Sequence, residues 1–207
     1  MLKLHFAPDT CSLASLIALE EVGAKYALNR IDFSSDEQRS AAYLGINAKG
    51  RVPALETPQG ILTETPAILI YIAQHFNVGN LAPVQDPFAF AEIQAFNSYL
   101  CSTLHVAHAH RMRGHRWADD TSAITAMQNK VPEVVGACYD YIESHYSLSP
   151  WVMGSKFTVA DPYLFTVAQW IEGDGVDVRR IPKVMAHRSR MLERKSVQDA
   201  LAVEKAT

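Results

Sequence analysis

The sequence predicts an α/β region followed by an all-helical one, and three observations predict it. Strand-like stretches occur only before residue 64. A segment from Asn77 to Asp86, holding Gly79, Asn80 and Pro83, shows no periodicity and reads as a linker. Beyond it, apolar residues recur at spacings of three and four to the end of the chain. The domains expected are 1–77, a linker 78–86, and 87–207.

Leu2-Lys3-Leu4-His5-Phe6 is the first strand. It breaks at Pro8-Asp9, where turn chemistry takes over, and Thr10 or Ser12 is placed to cap the helix carrying Leu13, Leu16 and Ile17. Gly23 stops that helix, and Tyr26 to Asp32 makes a second strand, implying a parallel pair with a right-handed crossover. Residues 34–40 are polar and read as a loop leading to a short helical turn near Tyr43 and Leu44. After the turn Asn47-Ala48-Lys49-Gly50, Arg51 to Glu56 forms a third strand, and Pro58-Gln59-Gly60 turns into Ile61-Leu62-Thr63. Thr65-Pro66 opens a helix in which Ile68, Leu69 and Ile72 share a face. The order is βαβ followed by ββα.

The second half reads as helices only. Pro87 to Arg113 keeps Ile93, Phe96, Leu100 and Leu104 in helical register. Ala123 to Tyr146 comes next, with Pro132 kinking it or marking its start. Thr158-Val159-Ala160-Asp161 is a capping box with Asp in place of Glu. Ile181–Leu192 and Val197–Val203 complete the set.

Composition narrows the function classes. The chain has 207 residues, 48% apolar and 20% charged, with a formal charge of −3. That balance gives no support to a nucleic-acid or membrane-surface role. No apolar run approaches the ~20 residues needed to span a bilayer. Three cysteines make no disulfide framework, so a cytoplasmic protein is expected. Of these, Cys11 stands out, because it sits at a helix N-terminus where free N–H groups and the dipole favour a thiolate. The next residues are Ser12-Leu13-Ala14, so no internal dithiol can close. Position alone also allows a small, half-buried residue in a helix cap. Cys101 and Cys138 fall inside helical patterns and read as inert core thiols.

Four stretches in register carry a resemblance: 7–14 (Ala-Pro-Asp-Thr-Cys-Ser-Leu-Ala), 47–55 (Asn-Ala-Lys-Gly-Arg-Val-Pro-Ala-Leu), 62–68 (Leu-Thr-Glu-Thr-Pro-Ala-Ile) and 157–165 (Phe-Thr-Val-Ala-Asp-Pro-Tyr-Leu-Phe). Through them the chain resembles the cytosolic glutathione S-transferases, in particular the bacterial, cysteine-type beta class. The resemblance implies a thioredoxin-like N-terminal domain (βαβ-ββα) with an all-helical C-terminal domain. It implies glutathione as co-substrate, no metal or other cofactor, a small electrophilic second substrate and a homodimer, in a role such as detoxification.

It also assigns residues. Cys11 would lie beside the glutathione sulfur, with Ser12 as a hydrogen-bond donor to it and His105 brought to the same chemistry. Glu64 would pair with the ligand's ammonium, while Thr65 and the helix start take its α-carboxylate. Val52-Pro53 would be cis, offering the backbone of Val52 to the cysteinyl moiety as an added strand, with Arg51 alongside. His108, Arg111 and Trp170 would line the second-substrate cleft.

The chain departs from its relatives in three polar grips. Val106 and Ser98 stand where a lysine and an asparagine are common (Asn97 is adjacent), and Ser34-Ser35-Asp36-Glu37 replaces a lysine-bearing loop. The basic run from Arg111 to Trp117 either compensates or is a solvated helix end. His105, His108 and His115 share a stripe without the i, i+4 spacing of a zinc site. Two other activities use the same features: thiol–disulfide exchange through a Cys11 mixed disulfide, and a non-catalytic adaptor or ligand carrier on the same fold.

Overall fold

The structure is a computed structural model that describes residues 1–76 and 78–206; Asn77, which falls in the expected linker, and Thr207 lie outside the described residues. The chain divides into two compact units, residues 1–90 with 191–207 and residues 91–190. These differ from a cut at the linker. The first boundary falls inside a helix, and the C-terminal helix belongs with the N-terminal unit.

The first unit is built on a four-stranded mixed sheet of order β2-β1-β3-β4, with β1 Leu2–Phe6, β2 Tyr26–Arg30, β3 Ala54–Thr57 and β4 Gly60–Thr63. β1 runs parallel to β2 and antiparallel to β3, and β3 is antiparallel to β4. Leu4 pairs with Leu28 on one side and Leu55 on the other, and Leu4 and Leu55 are fully buried on the two central strands. β3 starts at Ala54 rather than at the expected Arg51, because Pro53 has no N–H for a ladder; the Val52–Pro53 bond is cis, as the resemblance implies.

Helices α1 (Ser12–Glu21) and α3 (Thr65–His75) pack on each other, and α2 (Ala41–Leu44) is a single turn capped by the Ser40 hydroxyl, which accepts from Tyr43 N. α1 is apolar nearly all round, with Ser12 to Leu19 all buried. The C-terminal helix α9 (Lys195–Ala206) supplies its other cover by packing along α1.

One carboxyl on α9 is buried. Glu204 accepts a hydrogen bond from the Asp9 backbone, but burial and the Asp9 carboxylate push its pKa from 4.5 to about 7. The folded state therefore holds this proton more tightly than the unfolded chain does. Glu204 favours folding most below the ordinary carboxyl range, and that contribution is lost as pH rises through 7. Glu204→Gln is expected to raise the unfolding free energy at pH 8 by on the order of 1–3 kcal/mol, a gain that shrinks toward pH 4.5. Urea denaturation at the two pH values measures it.

The second unit is helical. α4 (Pro87–Tyr99), α5 (His105–Arg113), α6 (Thr121–His145), α7 (Ala160–Ala168) and α8 (Pro182–Leu192) account for it, α4 and α8 each crossing a unit boundary. The helix expected from Pro87 to Arg113 is not regular throughout. Residues Leu100–Leu104 widen into a π-helical turn between α4 and α5. Such a turn inserts a residue and re-aims the helix beyond it, and it is enriched at functional sites. Here His105 comes immediately after it.

Pro132 neither ends nor starts α6, which runs from Thr121 to His145 around it. The Asp120 side chain caps its start, accepting from Ser122 N and Ala123 N. Cys138 is buried, and Cys101 is half-buried rather than a core thiol. Among the described residues no helix is long and apolar enough to cross a membrane.

Candidate functional site

In the first unit, three motifs distant in sequence converge on one sulfur. Cys11 is the residue before α1, and its Sγ lies 3.5 Å from the Val52 carbonyl oxygen. The Thr65 hydroxyl hydrogen-bonds the same sulfur, with Glu64 and Arg51 close enough to act on it through their charges.

The 47–53 turn is braced from within. Asn47, buried, accepts from Lys49 N at 3.1 Å and donates from Nδ2 to the Arg51 carbonyl at 2.7 Å. The Tyr43 hydroxyl donates to the same carbonyl at 2.7 Å. Two donors therefore fix the peptide just before Val52 and Pro53. Gly50 sits at φ +60°, and a Cβ there would stand 3.0 Å from the Gln38 carbonyl, so glycine meets both demands.

At the start of α3, Glu64 is the cap residue, Thr65 the first helical residue and Pro66 the second. Glu64 has φ 73° and ψ 122°, a left-handed value for a non-glycine residue. Strain of this kind gathers at ligand clamps. Its carboxylate is held by Lys49 Nζ, which also donates to the Thr63 hydroxyl at 2.6 Å. Lys49 is a neighbour that sequence reasoning missed, although it lies inside one of the motifs.

Two expectations need correction. Ser12 does not offer its hydroxyl to a ligand sulfur. It is fully buried, and its Oγ lies 3.0 Å from the Ala7 carbonyl, 3.2 Å from Ala7 N and 2.7 Å from the Thr10 hydroxyl. Ser12 braces the 7–12 turn. The Cys11 thiol is also not acidified. Burial, the largest influence, pushes its pKa from 9.0 up to about 11, against the opposing help of Thr65. The helix start contributes less than the desolvation of a thiolate costs.

Alkylation of Cys11 by iodoacetamide is accordingly expected to climb with pH from 7 to 10 without a plateau. At pH 8 it should run about 100-fold slower than a thiol of ordinary pKa, since only the thiolate reacts. Peptide mass mapping separates it from Cys101 and Cys138.

In the second unit, the other four predicted residues come together. The His108 ring stacks on Trp170 at 4.3 Å between centroids, and His105 tilts against the same indole at 5.0 Å. His108 Nδ1 lies 2.8 Å from both carboxylate oxygens of Asp174, and Arg111 Nε stands 3.4 Å from the first of them. Asp174 is buried. A Cβ on Gly173 would collide with Arg111 Nη1, so the bare backbone leaves room for the guanidinium to lie there.

Sequence reasoning missed Asp174, which sits in Glu172-Gly173-Asp174-Gly175, where an acid reads as a solvated turn. His110 turns elsewhere, stacked on Trp117 at 4.1 Å. Among the described residues no group of three or more His, Cys, Asp or Glu side chains is arranged to hold a metal ion.

Comparison with known proteins bears on this geometry. The family model "Glutathione S-transferase, N-terminal domain" matches residues 2–74, and "Glutathione S-transferase, C-terminal domain" matches 110–195. Glutathione S-transferase GstA of Escherichia coli O157:H7 is 32% identical over 206 residues, covering 98% of both chains. Among solved structures, a glutathione transferase homologue from Sulfitobacter with bound glutathione is 46% identical, with TM-score 0.94 over 98% of each chain. A bacterial beta-class glutathione S-transferase from Sphingomonas chungbukensis is 32% identical, with TM-score 0.80 over 99% of this chain and 100% of that one. The convergence around Cys11 and the two matching domains lead to one statement: this chain belongs to the glutathione S-transferase family.

Proposed function

We propose that the protein conjugates the thiolate of glutathione to small electrophiles, with the tripeptide held by the N-terminal unit. The backbone of Val52, ahead of Pro53, pairs with the cysteinyl moiety. Glu64 takes the ligand's ammonium, and Thr65 with the N-terminus of α3 takes its α-carboxylate. Arg51 adds positive charge beside the sulfur, which comes to rest near Cys11. His105, His108, Arg111 and Trp170 serve the second substrate. Two copies form the working homodimer in the cytoplasm, and no resident cofactor takes part.

The observation that carries this reading is the meeting of Cys11, Val52 and Thr65 around one sulfur position. A thiol with pKa near 11 is a poor attacking group in the free protein. That favours glutathione, rather than Cys11, as the nucleophile and sets the transferase reading ahead of thiol–disulfide exchange. Ordered binding at this point uses proximity and hydrogen bonds to the incoming thiolate.

Titration calorimetry with glutathione, paired with turnover of 1-chloro-2,4-dinitrobenzene, tests the proposal. Binding with measurable conjugation is expected. No heat and no thermal shift at millimolar glutathione would reject it in favour of an adaptor.

A further inference from the structure

The inward face of α9 carries a group that packing alone does not call for. Its buried positions are Ser196, Val197, Ala200 and Glu204, a stripe laid along α1 within the first unit. The stripe is anchored at both ends of α1. At one end, Arg194 and Ser196 bond the carboxylate of Glu21, the last residue of α1. At the other, one oxygen of Glu204 accepts the Asp9 N–H, in the turn that leads to Cys11. Its second oxygen, Oε1, is buried with no hydrogen-bond partner among the described residues. An apolar side chain would complete the stripe at lower cost.

Asp9 is where that turn needs holding. It sits at φ 57°, a left-handed value for a non-glycine residue. Around it the turn closes on itself: the Thr10 hydroxyl donates to the Ala7 carbonyl at 2.8 Å, and Ala7 N donates to Ser12 Oγ at 3.2 Å. Those bonds do not reach the Asp9 N–H, which Glu204 takes.

We propose that Glu204 is a positioning residue for the glutathione site: it clasps the turn that aims Cys11, and its hold loosens when the carboxyl ionises. This rests on the transferase reading and adds a regulation of that same site by pH. A protonated carboxyl keeps its carbonyl oxygen on the Asp9 N–H and puts no charge into the apolar seam. An ionised one is desolvated beside the Asp9 carboxylate, and is better placed in water, off the turn. Those two influences, burial first, hold the Glu204 pKa at about 7. The closed clasp therefore binds its proton more tightly than the open one. It is firmest below the ordinary carboxyl range and weakens as pH rises through 7.

The turn brings Asp9 to Glu204 and, two residues on, Cys11. α1 carries Glu20 and Glu21 at its opposite end, where Glu20 meets Tyr26 and Glu21 meets Arg194 and Ser196. On α9 itself Asp199 bonds Lys195, and Lys205 is exposed. Of these described residues, Asp9 is the one whose charge acts on Glu204.

The test follows amide hydrogen exchange at residues 9–12 and the binding of S-methylglutathione, which has no thiol to titrate. It compares the wild type with Glu204→Gln, which keeps an acceptor for the Asp9 N–H and does not ionise. Wild-type protection at 9–12, corrected for intrinsic exchange, should fall by about 10-fold from pH 6 to pH 8. It should also stay below the protection of β1, as a local opening requires. Affinity for S-methylglutathione should fall by about 3- to 10-fold over the same range, as the binding-competent fraction drops. In Glu204→Gln both quantities should hold to within about 2-fold.

Equal pH responses in the two proteins overturn the inference. Protection at 9–12 equal to that of β1 overturns it too, since the opening would then be unfolding of the whole unit. So does wild-type affinity that ignores pH while protection falls, because the turn would then not serve the ligand. If S-methylglutathione binds neither protein at any pH, the transferase reading fails, and exchange at 9–12 still decides the clasp.

Discussion

Asp161→Ala is expected to lower the melting temperature by about 10 °C or more. Asp161 is fully buried at the start of α7, and each of its oxygens is used. Oδ1 accepts from Val152 N at 2.8 Å and from His187 Nε2 at 2.9 Å, and Oδ2 accepts from Thr158 N at 2.7 Å. His187 is fully buried as well, and Thr158 nearly so. The alanine would orphan two backbone N–H groups and one imidazole where water does not reach. Each such loss costs about 1–3 kcal/mol, so the total comes to roughly 4 kcal/mol or more. Against a typical domain stability of about 5–15 kcal/mol, this takes a large share. A chain of this size loses about 2–4 °C per kcal/mol, which gives the expected shift.

Asp161→Asn keeps the shape and one acceptor, and should cost about half as much. Scanning calorimetry reads both. A shift under about 3 °C for the alanine variant would mean that solvent replaces the carboxylate, and would remove Asp161 from its place at the centre of this network.

The same residue shows what the sequence could and could not reveal. The bond from Thr158 N to the Asp161 carboxylate is local, three residues apart, and that half of the capping box was readable, although the Thr158 hydroxyl accepts from Ala160 N rather than from Asp161 N. Val152 and His187 reach Asp161 only through tertiary packing, and nothing in their own neighbourhoods points to it. Cys11 divides in the same way. Its place at a helix start comes from Pro8-Asp9 and the apolar period behind them, yet the direction of its pKa shift is set by burial among distant residues. The π-turn at Leu100–Leu104 was hidden for a different reason: Ile93, Phe96, Leu100 and Leu104 keep a spacing that a regular helix would also produce. The element order βαβ-ββα was legible in the strand and helix patterns, and the meeting of residues 11, 52 and 65 was implied by the resemblance that four motifs in register carried. Asp174 and Lys49 were not, since each needs a partner many residues away to acquire its meaning.

Glu64→Gln is expected to raise the dissociation constant for glutathione about 10- to 100-fold, while Lys49→Met should change it by less than about 5-fold. The asymmetry comes from where each charge stands. In the free protein Glu64 already has an ionic partner, Lys49, which the ammonium would displace in the proposed binding mode. That pair is exposed, with 47% and 61% of the two side chains open to solvent, and a pair of this kind is worth about 0–1 kcal/mol. Breaking it costs little, and removing Lys49 therefore relieves little. In the proposed binding mode the ligand's ammonium makes a charge-assisted hydrogen bond to Glu64, at a site whose backbone is already fixed at φ 73°, and such bonds contribute about 1.5–3 kcal/mol. Glutamine keeps one acceptor but loses the charge that matches an ammonium, which gives the expected range. Calorimetric titrations of both variants at low and at raised salt check the prediction. The Glu64→Gln penalty should shrink as salt screens the contact, and a Lys49→Met penalty as large as that of Glu64→Gln would show that the lysine grips the ligand rather than yielding to it.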